Sequence, residues 1–148
     1  MKKKPIELHP VLNRSEIAKF FRTLWLGKPP KLVGKSAVTG HLTNPATKRK
    51  VTMRINEILK IADVIKIGAT GDTLSRMDKE DYRGNWEFVS RVYKTKSLER
   101  AKEYEVELIK KFKKSYPSQV KNISEAKAGR LTTYNGFYYI YVVFNIDE

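Results

Sequence analysis

The sequence predicts an α+β domain: a small antiparallel sheet flanked by helices, with a basic helix-and-hairpin extension ahead of it. Three observations predict it. Beyond residue 61, β-prone runs alternate with stretches of helical period. One run, Phe137–Phe144, is apolar without a break, as a strand covered on both faces would be. The chain has 148 residues, 41% of them apolar, the size and composition of one domain with a real core.

Residues 1–12 read as irregular. Asn13-Arg14-Ser15-Glu16 is a helix start, with Asn13 as the cap and Glu16 three places on. Ile17, Phe20, Phe21, Leu24 and Trp25 then recur on one helical face, which is expected to pack inward. Gly27 and Pro29-Pro30 end that helix. Lys35–Val38 and Val51–Met53 read as short strands around the turn-rich stretch from Thr39 to Ala46, a basic hairpin. Ile55, Ile58, Leu59 and Ala62 suggest a short helix. Val64–Gly68 is a β run ended by glycine. Asp72 or Thr73 caps a helix over Leu74–Asp81, with Leu74 and Met77 facing in. Trp86–Tyr93 is a strand. Ser97 caps the longest helix, Leu98–Lys114, which Pro117 closes off. Residues 118–135 form a polar loop, and Phe137–Phe144 is the expected central strand. The division falls after residue 60, into an extension over 1–60 and a core over 61–148.

Composition narrows the chemistry. The chain has no cysteine, which excludes disulfides, Cys-based zinc sites, iron–sulfur clusters and a thiol nucleophile. Two histidines, His9 and His41, are too few for a His-rich metal cage. No apolar run approaches the ~20 residues that span a bilayer, and none follows Met1-Lys2-Lys3-Lys4-Pro5 as a secretion signal would. A soluble, cytoplasmic protein without membrane contact is expected. The net charge is +14. Residues 1–60 carry 14 basic and 3 acidic residues, residues 61–148 carry 16 and 13. So cationic a first segment attracts polyanions. Nucleic acid is the expected partner, DNA ahead of RNA, with Lys48-Arg49-Lys50 and Arg83 as phosphate contacts. An anionic membrane is the runner-up, but the basic residues are scattered rather than gathered along one amphipathic helix.

The long helix carries the most informative residue. Its inward stripe reads Leu98, Ala101, Glu105, Leu108, Phe112, at steps of three and four. Glu105 therefore points where the core is. Burying an unpaired carboxylate costs several kcal/mol, about the whole stability margin of a domain. Such a group is either paired, here with Arg76 or Lys66, or turned to the rim, or used in chemistry. Arg76 stands on the helix behind the glycine-ended strand, where its guanidinium can fork onto a phosphate. An arginine for phosphate and a carboxylate for a divalent ion make a compact phosphodiesterase pair.

At this point the chain resembles the GIY-YIG nuclease superfamily. The family's second motif looks like Ile67-Gly68-Ala69-Thr70 followed by Leu74-Ser75-Arg76, the arginine eight residues after the glycine. Its next features look like the strand Trp86–Tyr93, the helix Ala101-Lys102-Glu103-Tyr104-Glu105-Val106-Glu107-Leu108-Ile109, and Asn122 in the following loop. The match covers about residues 61–125. The resemblance implies a metal-dependent endonuclease. Arg76 would steady the scissile phosphate, Glu105 would hold one Mg²⁺ or Mn²⁺, a tyrosine would activate water, and Asn122 would brace the site. The chain departs from the pattern in three places. Lys66 stands where the family often has its second tyrosine, Glu80 stands where it has a histidine, and no tyrosine precedes Tyr82. The only stretch similar to the missing first motif is Gly136-Phe137-Tyr138-Tyr139. A C-terminal strand in that slot would be a circular permutation, with Tyr138 or Tyr139 at the site and Lys66 beside it. Two other functions fit the charge: a non-catalytic nucleic-acid-binding module on a degenerate nuclease scaffold, and a basic protein that inhibits an acidic partner.

Overall fold

The computed structural model describes residues 14–122 and 131–146. Among the described residues, four helices and four strands follow one another as α1 (Arg14–Leu26), β1 (Lys31–Leu32), α2 (Pro45–Ile61), β2 (Ala62–Thr70), α3 (Thr73–Met77), β3 (Phe88–Thr95), α4 (Leu98–Ser115) and β4 (Tyr138–Ile146). The sheet order is β1-β3-β4-β2. β4 pairs antiparallel with both β2 and β3, whereas β1 pairs parallel with β3. The sheet is thus mixed rather than antiparallel throughout. The departure comes from a two-residue strand too short to leave a pattern in the sequence.

β4 is central, and Tyr139 to Phe144 are all buried, which is why its run is apolar on both parities. Strand alternation divides its side chains between two layers. Ile140, Val142 and Phe144 join the main cluster beneath α2 and α4, with Val51, Ile55, Ile65, Ile67, Tyr104, Leu108 and Phe112. Tyr141 and Val143 face the other way, into a smaller cluster with Met77, Tyr82 and Val89.

The expected hairpin over 35–53 is replaced by helix α2. Asn44 caps it, its side-chain oxygen accepting the Ala46 N–H at 3.1 Å, and Pro45 takes the first turn. Val51 sits inside that helix because Val51, Ile55, Ile58 and Leu59 recur at helical spacing and are buried together. Residues 45–61 therefore belong to the core. The N-terminal helix departs from expectation in the opposite sense. Its cap Asn13 lies outside the described residues, and Phe20, Phe21, Leu24 and Trp25, expected to pack inward, are exposed, Trp25 by 80%. At the exit of helix α1, Gly27 lies against Gly84 and the Gly84 N–H donates to Lys28 O at 2.9 Å. Among the described residues, no helix is long and apolar enough to cross a membrane.

Candidate active site at the free edge of strand β2

β2 is an edge strand, and an unpaired edge leaves backbone N–H and C=O groups that must find partners when covered. They find three kinds in succession. The Ile65 N–H donates to Gln119 O and the Lys121 N–H donates to Ile65 O, both at 2.8 Å. One step along, Asn122 replaces a strand: its Oδ1 accepts the Ile67 N–H at 3.0 Å and its Nδ2 donates to Ile67 O at 2.8 Å. Lys113 donates to the Asn122 carbonyl and holds that loop to α4. One step further, the Ala69 N–H donates to the Glu105 carboxylate. Asn122 thus braces the edge strand through its backbone.

Glu105 lies on the buried side of α4 with Ala101, Tyr104, Leu108, Ile109 and Phe112, only 8% exposed. Ser97 starts this helix by accepting the Arg100 N–H at 3.1 Å, which sets the phase that turns position 105 inward. Burial pushes the Glu105 carboxyl up to about 7, against the lowering pull of the Ala69 N–H, Arg76 and Lys66. The two cations predicted to neighbour it are therefore the two that act on it.

Arg76 is delivered by α3, which Asp72 caps by accepting the Ser75 N–H at 3.1 Å. The turn before it is pinned at Gly71, where a Cβ would stand 2.1 Å from Thr132 O, so only glycine lets the 132–133 backbone approach. Lys66 projects onto the same layer, its ammonium 5.1 Å from the centre of the Tyr82 ring.

The tyrosine of this cluster is Tyr141, not Tyr138. β4 and β2 pair so that Tyr141 is opposite Gly68. The ring lies over the glycine: a Cβ at 68 would sit 2.3 Å from the Tyr141 hydroxyl oxygen. Tyr138 pairs with Thr95 at the far end of β3, and alternation turns it to the side of Ile140 and Val142. Tyr139 shares the face of Tyr141 but lies under Arg91, 4.7 Å from the guanidinium carbon. The Tyr141 hydroxyl is 2.5 Å from that of Tyr82. Burial, then the Tyr82 hydroxyl, hold it well above the usual phenol range, with Arg76 lowering and Glu105 raising it. Glu105, Arg76, Lys66, Tyr141 and Tyr82 thus form one group. Sequence reasoning passes over Tyr141. The available signal is parity: Tyr139 and Tyr141 share a face that excludes Tyr138.

The expected phosphate contacts fare differently. Arg83 is buried, its guanidinium bonded to Asp78 across the turn that follows α3, so it holds the turn and is withdrawn from the surface. Lys48 pairs with Glu107 at 2.9 Å and lies over the Tyr104 ring. Arg49 and Lys50 are exposed on α2, whose buried side belongs to the main cluster. Nothing among the described residues joins Lys48, Arg49 or Lys50 to the Glu105 group.

Among the described residues, no three His, Cys, Asp or Glu side chains gather as a metal cage. Glu105 offers one carboxylate. That suits an ion such as Mg²⁺, which is held through one or two carboxylates and completes its shell with water and substrate phosphates. The weak hold on charge at a buried, easily protonated carboxyl is what a cation would relieve. Comparison with protein-family models, with curated proteins and with solved structures finds no match for this chain.

Proposed function

We propose that this protein is a divalent-metal-dependent endonuclease that hydrolyses phosphodiester bonds of DNA, on a GIY-YIG-like framework whose first motif has moved to the C-terminal strand. The observation that carries the reading is the Glu105 carboxyl, buried at the edge of β2 beside Arg76, Lys66 and Tyr141. A protein that only binds polyanions gains nothing from a buried acid in a cationic setting. The strand order supports the permutation, because β4 lies between β2 and β3 and sets a tyrosine on the glycine of Ile67-Gly68.

In this reading Arg76 forks onto the scissile phosphate and offsets the charge that grows in the transition state. Tyr141 keeps its proton, so it acts as a donor that orients a phosphate oxygen or the attacking water rather than as a base. Tyr82 fixes the direction of that hydroxyl. Lys66 adds a second positive charge at the same point. Glu105, once ionised, would hold Mg²⁺ or Mn²⁺, and the ion would supply Lewis-acid stabilisation of charge at the phosphate and the leaving oxygen. Asn122 keeps β2, and with it Lys66 and Gly68, in place.

A second reading, a non-catalytic nucleic-acid-binding module, is favoured by two observations: Lys66 in place of a tyrosine, and a Tyr141 hydroxyl held firmly protonated. Plasmid nicking in Mg²⁺ or Mn²⁺ decides between them. The nuclease reading expects nicking by the natural protein and a loss of at least ~100-fold in Glu105→Gln and in Arg76→Ala, the scale of removing one charge-stabilising group. Binding without nicking in either metal, equal in all three proteins, overturns it in favour of the module.

A further inference from the structure

A second cationic cleft lies on the same layer of the sheet as Tyr141. Residues 32–37 pass over the edge of β3 and enclose a cleft of about 290 Å³ with Lys35, Arg91, Lys94 and Tyr139 on its walls. Its cations are held ready. Arg91 Nε donates to Thr73 Oγ1 at 3.0 Å, and its guanidinium stacks over Tyr139. Lys94 and Lys96 lie over the Phe137 ring, 4.8 and 5.5 Å from its centre. Among the described residues, none of Lys35, Arg91, Lys94 and Lys96 has an acidic side chain within ion-pair distance. Three of these cations, Lys35, Arg91 and Lys94, line the polar hollow and Lys96 stands beside it over Phe137; with no acidic partner among the described residues they repel one another, and an anion relieves that repulsion.

The cleft is also tied to the site. Thr73, which orients Arg91, is the first residue of α3, and Arg76 stands one turn further along that helix. Arg91 is opposite Tyr141 in the β3–β4 register, and Lys94 is opposite Tyr139. Cations therefore succeed one another across the strands, from Lys66 and Arg76 over β2 to Arg91 and Lys94 over β3.

We propose that the cleft between residues 32–37 and strands β3–β4 is a second phosphate site, taking a backbone phosphate of the same nucleic-acid strand whose scissile phosphate meets Arg76. The inference rests on the nuclease reading for its substrate, but its own evidence is the cleft. The aromatic rings beneath the cations serve to hold the guanidinium and ammonium groups in place, so the site selects for phosphate and not for base sequence. The α2 cations Arg49 and Lys50 lie on the other layer and take no part.

The test measures binding of the full chain to a short fluorescent DNA duplex in EDTA, where cleavage cannot occur. Salt is varied between about 50 and 200 mM, the range over which phosphate contacts declare themselves. The variants are Lys35→Ala/Lys94→Ala and, as control, Arg49→Ala/Lys50→Ala, all at exposed or half-exposed positions and checked for an unchanged melting temperature. The cleft pair is expected to weaken binding by about 10- to 100-fold and to lower the slope of log K against log salt by about 2, one unit for each phosphate that the variant no longer neutralises. The control pair is expected to cost less than about threefold, a diffuse effect of net charge. Equal losses in both pairs, or an unchanged slope in the cleft pair, overturn the proposal. So does a cleft pair that loses binding to phosphatidylserine vesicles but keeps its hold on the duplex. Free phosphate that competes as well as the duplex, at equal phosphate concentration, also overturns it, since the site would then take a small anion and not a strand. A natural protein that binds through the cleft but never nicks plasmid refutes the nuclease reading alone.

Discussion

The two layers of this sheet are built on different principles. Beneath α2 and α4 the main cluster is almost wholly hydrocarbon, with Val51, Ile55, Ile65, Ile140 and Val142 fully enclosed. On the other layer a small cluster supports two hydroxyls in contact, a lysine over a ring and an arginine over another. The first layer accounts for folding. The second gives its room to polar groups whose arrangement needs the first to keep it still. Glu105 is where they meet, rooted on a helix of the first layer and acting on cations of the second.

The contrast is broken most severely from the helical side. Leu108→Ala empties a fully buried site on α4 and is expected to cost about 2–5 kcal/mol, read by chemical denaturation, while the nicking rate per folded molecule stays near the natural value. Gly68→Ala attacks the other layer. Its Cβ would run into Tyr141, whose enclosed ring has no free direction to move. A loss of about 1–3 kcal/mol is expected, and here the activity falls with the stability because the hydroxyl is displaced. That opposite behaviour of the two variants, at similar cost, is the sharpest form of the comparison.

Acidity gives the next effect. Native Glu105 keeps its proton until about 7, while in the unfolded chain it titrates near the ordinary 4.5. Between those values the folded state binds more protons. The stability linked to this group is present below pH 4.5, falls through the window and is gone above about 7. The change is on the order of 3 kcal/mol. Glu105→Gln should remove this slope and unfold later than the natural protein at pH 8, measured without metal. At the small end, Lys48→Ala breaks an exposed pair with Glu107 and should shift stability by less than about 1 kcal/mol.

Much of this is legible in the sequence where local pattern and burial agree. The stripe on α4 turns Glu105 inward, and the unbroken run at Phe137–Phe144 marks a strand covered on both sides. What escapes depends on long-range pairing. Choosing Tyr138 over Tyr141 is a question of parity, and a strand's parity is set by partners far away in the chain. Val51–Met53 looks like a strand because a window so short hides the helical period that Ile55 and Ile58 complete. Arg83 looks available because its partner Asp78 is revealed only by the turn that folds one over the other.

The strand that completes the cluster also comes after every other described element. Gly68 and Tyr141 meet only when β4 inserts between β2 and β3. During synthesis the first seven elements can gather, yet without the closing strand they possess neither the phenol nor the link that joins the two flanks of the sheet. In the nuclease reading, a chain that lacks β4 is expected to leave phosphodiesters intact, because the Tyr141–Gly68 contact and the link between β2 and β3 both depend on that strand.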